Sequence, residues 1–346
     1  LHSVDSALST AMWVGAGHAW RGLELWLGAL AGLNWQLDIA HLVSAERFPA
    51  IMFAAALVVA PRALRLRSLS VILALAMFSL GASRLDARML RLIVFDVGQG
   101  LAVLIQTRHS NVLYDTGPRW PGHTHGVATS NLIPSLRRSG IDSLNVAIIS
   151  QGDIDHLGGF DEISAQLSIR RLYAAPGSRL GQPYTACTDG IAWQADGVEF
   201  RLLHPSAKTW SERNNRSCVL LIRGAYGRVL LPGDIESAAE QALLEKHAAV
   251  LRAEIIVVPH HGSDTSSTTA LIAAVEPQLA IISAGFGNRY GLPDQAVIDR
   301  YHDQAIRVIN TAAAGAVTVE IGRAGIAVAT ERARRNHFWT SRNGDL

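Results

Sequence analysis

The sequence of 346 residues has little net charge and few charged residues. Its 31 lysines and arginines nearly balance 29 aspartates and glutamates, which leaves a formal charge of +2, and charged residues make up only 17% of the chain. Proteins that bind nucleic acid over a broad surface are usually strongly basic, so any contact with DNA or RNA has to come from a local basic patch. The 49% content of hydrophobic residues indicates a slightly apolar protein.

The sequence also lacks an uncharged run of the ~20 residues that a membrane-spanning helix usually needs. Two shorter uncharged runs occupy residues 48–60 and 68–83, and residues 61–67 between them contain three arginines. By themselves the two runs fit buried core helices and a hairpin in a membrane equally well. Residues 5–42, with four tryptophans among leucines, fit either a helix at a membrane surface or a helix packed on other protein parts.

The chain begins with Leu1 and shows no signal peptide with a cleavage site. We therefore expect it to be the C-terminal piece of a longer protein, and its length allows two domains. Long apolar runs are confined to residues 1–90, whereas residues 91–346 have the composition of an ordinary globular protein. The sequence predicts a helical region over 1–90, a globular domain over 91–330 and a polar tail over 331–346.

Residues 145–159 carry the most informative motif. An apolar strand leads into a loop with Gln151, Asp153, Asp155 and His156, and the loop ends in two glycines. Donors at this spacing, on a turn between a strand and a helix, can surround one or two divalent cations, and carboxylates with an imidazole suit zinc or manganese. An acidic turn that caps a helix is the alternative interpretation.

Two further apolar strands end in residues of the types that bind metals. Residues 229–234 end at Asp234, and residues 255–263 contain the neighbouring His260 and His261. Ligands bind at the C-terminal ends of strands in open sheets, so three such strands together predict a metal site. Without the other two strands, a pair of surface histidines would be the preferred interpretation of His260 and His261.

From residue 92 onward, short apolar runs alternate with helical segments of amphipathic pattern. The patterns predict helices over residues 129–139, 160–168, 237–250, 267–275 and 293–305. Strands are predicted over residues 92–97, 101–106, 112–115, 145–150, 198–203, 218–223, 227–231, 255–258, 279–283, 316–321 and 326–330. This order fits an α/β protein with two sheets that have helices on their outer faces.

Six motifs of this chain resemble those of the C-terminal domain of the ComEC family of DNA-uptake proteins, a branch of the metallo-β-lactamase superfamily. In chain order they are Phe95-Asp-Val-Gly-Gln-Gly100, Leu113-Tyr-Asp-Thr-Gly117, Asp153-x-Asp-His-x-Gly-Gly159, Asn214-Asn-Arg-Ser-Cys218, Leu231-Pro-Gly-Asp234 and Pro259-His-His-Gly-Ser263. The resemblance implies a metallo-β-lactamase αββα sandwich preceded by membrane-associated helices in the bacterial inner membrane. Arginines in residues 61–67 then suggest that the globular domain lies on the extracytoplasmic side.

The resemblance also assigns metal ligands. In the superfamily one ion binds the first two histidines of a His-x-His-x-Asp-His signature, and a second ion binds the Asp-His pair. Carried over to this sequence, the second site consists of Asp155, His156, Asp234 and His261, with Asp155 also acting in catalysis. His260 then becomes a candidate proton donor or phosphate contact, or a residue that orients a ligand.

The first site departs from the superfamily pattern. Asp153 replaces the second histidine, as is normal in the ComEC branch, and Gln151 stands where the first histidine is expected. An amide oxygen is a weak ligand compared with imidazole. We therefore expect this site to be weak, empty or filled only with substrate present, so that the chain binds one or two ions of zinc or manganese.

Further residues are candidates for supporting roles. Asp96 and Asp115 follow strands and precede glycines, so they fit carboxylates that orient metal ligands and also turn formers. Trp120 and the His123-x-His125 loop are a candidate rim around the substrate. The predicted phosphate or DNA contacts are Asn214, Asn215, Arg216, Ser263 and Thr265, although turn and cap chemistry explains each of them singly.

The two cysteines, Cys187 and Cys218, are candidates for a disulfide. Related sequences of the family carry a similar pair, and an extracytoplasmic domain favours a disulfide over two buried thiols.

The function implied by the resemblance is hydrolysis of DNA phosphodiesters on the strand that is not transported. DNA, the membrane and other DNA-uptake proteins are the implied partners. The alternative is a scaffold that guides DNA without cleaving it, because Gln151 weakens the first metal site. Lactam hydrolysis is disfavoured, since carboxylates replace the histidine and cysteine donors.

Overall fold

A computed structural model describes residues 85–86, 88–119, 126–206 and 210–334, together with a few isolated residues of the first 74. The chain divides into two units, residues 1–74 and residues 75–346. The apolar runs 48–60 and 68–83, the loop with Trp120, His123 and His125, and tail residues 335–346 lie outside the continuously described ranges, so these predictions remain predictions. Within the described part of the chain, no helix is long and apolar enough to cross a bilayer.

The first sheet has eight strands, of which five are antiparallel and the rest extend it in parallel. In spatial order the strands are β17 (Gly325–Thr330), β16 (Val317–Gly322), β1 (Leu90–Val94), β2 (Val103–Gln106), β3 (Asn111–Tyr114), β5 (Val146–Ile149), β7 (Leu172–Ala174) and β8 (Thr185–Ala186). Strands β17 to β3 pair antiparallel, and β3, β5, β7 and β8 run parallel to one another. The C-terminal ends of β3 and β5 therefore meet at one edge.

The second sheet has seven strands and the same mixture of pairings. In spatial order they are β15 (Arg307–Asn310), β14 (Leu279–Ile282), β13 (Ile255–Val257), β12 (Arg228–Leu231), β11 (Val219–Arg223), β10 (Val198–His204) and β9 (Ala192–Ala195). Strands β12 to β15 are parallel, so their C-terminal ends also share an edge. Two short strands, β4 (Ser143–Leu144) and β6 (Ser168–Ile169), form a separate ribbon.

The described helices connect these strands. They are α1 (Ile133–Arg138) with a π-helical turn before it (Ala128–Leu132), α2 (Ile154–Leu157), α3 (Phe160–Gln166), α4 (Ser237–His247), α5 (Thr269–Val275), α6 (Gln295–His302), α7 (Thr311–Ala314) and α8 (Glu331–Arg334). The starts of α5 and α6 follow from capping, since the side chains of Thr268 and Asp294 accept hydrogen bonds from the first-turn amides.

Alternation of buried residues along the strands explains the layers. Leu92 and Val94 of β1 join Leu220 and Ile222 of β11 in an apolar core between the two sheets. Residues of opposite parity face outward, where helices α4, α5 and α6 cover the second sheet and the π turn, α1 and α3 cover the first. The arrangement is the predicted αββα sandwich.

A buried disulfide joins the two sheets. Cys187 follows β8 at the edge of the first sheet, Cys218 precedes β11 in the second, and the bond closes a sequence separation of 31 residues. The predicted pairing is therefore present in the structure. The amide of Cys218 also donates a hydrogen bond of 2.9 Å to the carbonyl oxygen of Ser150, next to Gln151.

Candidate metal centre

Four strand ends converge at one edge of the sandwich. Asp115 follows β3, the loop with Asp155 and His156 follows β5, Asp234 follows β12 and His261 follows β13. One ligand atom from each of Asp155, His156, Asp234 and His261 lies within 4.8 Å of the other three. We refer to these four residues as the ligand cluster.

The distances within the ligand cluster suit a single ion. Nε2 of His156 lies 3.1 Å from Oδ2 of Asp234 and 3.3 Å from Nε2 of His261. Nε2 of His261 lies 3.4 Å from Oδ2 of Asp155 and 3.6 Å from Oδ2 of Asp234. Nε2 of His156 lies 3.8 Å from Oδ2 of Asp155. Four ligands at ~2.0–2.2 Å from a tetrahedral ion are separated from one another by roughly 3.3–3.6 Å, so these distances are close to those of a tetrahedral site.

The partners of the two imidazoles fix which nitrogen carries the proton. Nδ1 of His261 lies 2.8 Å from the carbonyl oxygen of Ser283, which only accepts, so Nδ1 donates. Nδ1 of His156 lies 2.8 Å from Oδ2 of Asp115 and donates to that carboxylate. With Nδ1 donating, Nε2 of each ring faces the other ring and two carboxylates. Such a donor set needs a cation between its members, and it fits a divalent metal.

The carboxylate of Asp115, which contacts His156, is itself held by hydrogen bonds. Its Oδ1 accepts 2.6 Å from the amide of Ser150, and its Oδ2 accepts 2.6 Å from the hydroxyl of the same residue. The carboxylate is fully buried, and the Asp115 backbone has a positive φ of 61°. These contacts place Asp115 behind His156 and support its interpretation as an orienting carboxylate.

The electrostatics of the ligand cluster favour positive charge. Burial alone lowers the pKa of His156, but the carboxylates of Asp234, Asp115 and Asp155 outweigh burial and hold that pKa well above its ordinary value. Burial likewise raises the pKa of Asp234, yet the imidazoles of His156 and His261 outweigh it and the pKa falls below the usual range. The cluster thus attracts a cation, whether a proton or a metal ion.

The glycine-rich loop after β1 holds the backbone of the site. The carbonyl oxygen of Asp155 accepts 3.1 Å from the amide of Leu101, and the carbonyl oxygen of Gly100 accepts 2.7 Å from the hydroxyl of Ser283. Gly100 has a φ of +148°, and a Cβ there would collide with the backbone of Asp155. The side chain of Asp96, by contrast, accepts from the Gly98 amide at 3.3 Å. This contact supports the interpretation of Asp96 as a turn former.

Gln151 and Asp153 have different partners from the ligand cluster. Nε2 of Gln151 donates to Oδ2 of Asp234 at 2.7 Å, while its Oε1 is buried without a hydrogen-bond partner in the described part of the chain. Asp153 forms an ion pair of 2.8 Å with Arg213. Neither residue belongs to the group of mutually close ligand atoms.

A family model of the metallo-beta-lactamase superfamily matches residues 95–285, more than half of the sequence. The chain belongs to the metallo-beta-lactamase superfamily. The match spans the ligands of all three strand ends that the sequence singled out, and it ends in the loop that follows β14.

Three curated relatives confirm the predicted relationship to the ComEC family. Competence protein ComA of Neisseria gonorrhoeae is 33% identical over 304 residues, which are 85% of this chain and 42% of that protein. Recombination protein 2 of Haemophilus influenzae is 37% identical over 225 residues, 65% of this chain and 28% of the relative. ComE operon protein 3 of Bacillus subtilis is 30% identical over 244 residues, 63% and 31% of the two chains. The chain spans less than half the length of these relatives.

His260 lies beside the ligand cluster of this superfamily member but outside it. Its Nδ1 is 3.1 Å from the hydroxyl of Thr265 and 3.5 Å from a carboxylate oxygen of Glu236. Its Nε2 is 3.4 Å from the side-chain nitrogen of Asn214. The imidazole is half-buried and lines the cleft, a position from which it can exchange a proton with a bound molecule.

The predicted phosphate contacts separate into two groups. Asn214 lines the cleft, and Ser263 shares a contact of 3.1 Å with Thr265 next to His260. Asn215 is buried and accepts 2.9 Å from the Glu236 amide. Arg216 donates 2.8 Å to the carbonyl oxygen of Trp210. Asn215 and Arg216 therefore stabilise their own loop in this structure.

Sequence reasoning did not select three residues that shape the site. Ser150 and Ser283 hold Asp115 and His261, and Arg213 pairs with Asp153. Both serines directly follow observed strands and are the last residues of predicted strands. The rule that selected candidate ligands at strand ends would have selected them too, had it included hydroxyl side chains. Nothing in the sequence indicates the partner of Arg213, because its loop has no regular pattern.

Proposed function

We propose that the chain is the nuclease part of a bacterial DNA-uptake protein, which hydrolyses phosphodiesters of the strand that is not transported. The observation that carries this proposal is the convergence of two imidazole nitrogens with two carboxylates beside a cleft of about 480 Å³, which Asp155, Asp234 and His261 line. DNA as the substrate is supported by relatives named for competence and recombination. The inner membrane, with this domain on the extracytoplasmic side, and other uptake proteins are part of the same proposal.

The residues of the cleft divide the chemistry among them. Asp155, His156, Asp234 and His261 would hold a zinc or manganese ion, which supplies a Lewis acid that activates water and stabilises charge on a phosphoryl oxygen. Asp155, whose side chain is 26% exposed, is the ligand-cluster carboxylate that can take a proton from an attacking water. His260 can give a proton to the leaving oxygen, and Asn214 orients the His260 ring.

A scaffold that guides DNA without cutting it is the second candidate. The contact between Gln151 and Asp234 favours it, because an amide N–H, and not a ligand lone pair, faces Asp234 from the side of the first site. An enzyme with one ion has one Lewis acid for both the attacking and the leaving oxygen, whereas two-ion sites stabilise both. Slow cleavage or none is the expected consequence of this contact.

Metal analysis and a cleavage assay on the purified 346-residue chain distinguish the two candidates. We expect about one bound ion per chain, and cleavage of labelled single-stranded DNA that stops when a chelator is added. Asp155→Asn should remove both the ion and the cleavage. Tyr226→Ala, an exposed residue in the turn between β11 and β12, serves as the control. A chain that binds DNA but does not cleave it is the scaffold, and a chain without metal contradicts the nuclease.

A further inference from the structure

Exposed apolar side chains are concentrated around the cleft. Among the described residues of the second unit, the large apolar side chains with high exposure are Ile154, Tyr226, Phe286 and Tyr290. Ile154 and Tyr290 line the cleft of the ligand cluster, and Phe286 lines the cavity next to it. Only Tyr226 of this described set lies elsewhere. Single exposed apolar residues are ordinary, but three of four beside one site indicate a binding surface.

The two cavities adjoin one another, and we call them together the groove. Gln99, Arg289 and Tyr290 line both the cleft of about 480 Å³ and the adjoining cavity of about 410 Å³. Phe286, which is 69% exposed, lines the outer cavity, and His261 lines the inner one. A chain-like molecule bound in the outer cavity would therefore lie next to the cleft of the ligand cluster.

The loop that carries the aromatic residues is held in place from within. We call residues 285–292 the aromatic loop. The Asn288 side chain accepts from the amides of Tyr290 and Leu292, both at 3.1 Å, and donates to the carbonyl oxygen of Gly285 at 2.9 Å. Gln99 accepts from the Gly285 amide at 3.2 Å. The backbone that carries the rings is thus held in place before any ligand binds, which lowers the entropy cost of binding.

A positive charge accompanies the exposed rings. The Arg289 guanidinium lies over the Tyr290 ring, 4.8 Å from its centroid, and donates to the Tyr290 hydroxyl at 2.6 Å. In the part of the chain that the structure describes, Arg289 forms no ion pair with a carboxylate. Flat apolar faces beside an arginine complement a strand that combines flat bases with a phosphate backbone.

We propose that Phe286 and Tyr290 stack on unpaired bases of a single DNA strand, while Arg289 contacts its phosphates. The groove then leads the strand to the ligand cluster. This inference rests on the proposed function and deepens it, because it names an unpaired strand as the substrate. Bases within a duplex are stacked on one another and do not present their faces to a protein, so the aromatic loop selects against intact duplex.

Binding without cleavage tests the aromatic loop. The full chain is titrated, with a chelator present, into a labelled thymidine strand of about 12 nucleotides, within the site sizes of such platforms. A strand of equal length that has the sugar–phosphate backbone but no bases is titrated in parallel. Phe286→Ala and Tyr290→Ala should each weaken binding of the thymidine strand about 5- to 100-fold and leave the strand without bases nearly unaffected.

Three further variants sharpen the result. Tyr226→Ala, the matched exposed tyrosine outside the groove, should bind both strands like the unaltered chain. Phe286→Trp should restore the preference for bases, because indole stacks at least as well as phenyl. Arg289→Gln should weaken both strands alike and reduce the salt dependence by about one phosphate contact.

The outcomes separate this inference from the proposed function. Equal loss on both strands after Phe286→Ala and Tyr290→Ala, or no loss on either, overturns the stacking platform even if the chain cleaves DNA. Base-dependent binding by a chain that never cleaves supports the platform and contradicts the nuclease. Circular dichroism checks that the variants fold, which their exposed positions favour.

Discussion

Gln151 lies in the loop after β5 and His156 lies five residues later in α2, and both side chains contact Asp234. His156 has a second contact behind it, with Asp115, that fixes its tautomer and leaves Nε2 free for a cation. Gln151 instead directs its amide nitrogen at Asp234 and leaves its buried oxygen without a partner among the described residues. His156 is therefore held with a ring nitrogen toward the ion site, whereas Gln151 directs an N–H group at the same carboxylate.

The difference shows what a donor at a strand end needs before it becomes a ligand. A second contact has to hold the side chain so that its lone pair faces the ion, and no other cation or donor should occupy that lone pair. The two histidines of the ligand cluster meet the first condition, since Asp115 and the carbonyl oxygen of Ser283 hold their Nδ1 atoms. Asp153 is of the right chemical type, but its carboxylate pairs with Arg213.

Separate replacement of Asp155 and Asp153 by asparagine is the strongest test of this comparison. Asp155→Asn should weaken metal binding by more than the roughly 100-fold that loss of an orienting residue causes, because it removes a ligand. Asp153→Asn, two residues away, should change the affinity little. Competition with a coloured chelator measures both, and equal losses would show that Asp153 also binds the ion.

Substitution of His260 separates proton transfer from metal binding. His260→Gln should lower the rate of DNA cleavage about 100-fold, the lower range for a general acid, and leave metal content unchanged. His260 is outside the ligand cluster, so metal loss in this variant would contradict the geometry. The measurement combines metal analysis with single-turnover cleavage.

Replacement of Asp115 or Asp96, the two aspartates predicted to orient ligands, should have a smaller effect on metal affinity than loss of a ligand. Asp115→Asn removes the charge that holds Nδ1 of His156, so metal affinity should fall about 10- to 100-fold. Asp96→Asn should leave the affinity unchanged, because Asp96 contacts the Gly98 amide and not a ligand. Isothermal titration with zinc distinguishes them, and a fall in both variants would assign Asp96 a role that the contacts do not show.

Much of this arrangement follows from the sequence because strand ends are strongly patterned. Apolar runs that stop at Asp115, Asp234 and His261 place these residues at the edge shared by parallel strands. The resemblance then assigned the ligand cluster, and the sandwich followed from alternating strands and helices. The pairing of Cys187 with Cys218 also agrees with the structure.

Other parts had no signal of comparable strength. Strands β7, β8 and β9 were not predicted, since they have two to four residues each and most of their positions are half-buried or exposed. Trp193 of β9 stacks between Tyr173 and Phe200, a contact between sheets that periodicity does not show. The aromatic loop was missed for a related reason, because exposure of Phe286 and Tyr290 is a tertiary property.

The smallest expected effect on the ligand cluster comes from Gln151→His, and it bears directly on the opening comparison. An imidazole at this position can direct a lone pair toward the side of Asp234 that Gln151 occupies. Asp153 has to leave Arg213, whose side chain is 75% exposed, and breaking such a surface pair costs about 0–1 kcal/mol. Metal content should therefore rise from about one ion toward about two, and metal-dependent cleavage should increase. Gln151→Leu removes the same hydrogen bond without adding a ligand, so its metal content should stay at about one ion. If both variants bind the same amount of metal, the side chain at position 151 does not decide the number of ions, and Asp153 or its partner does.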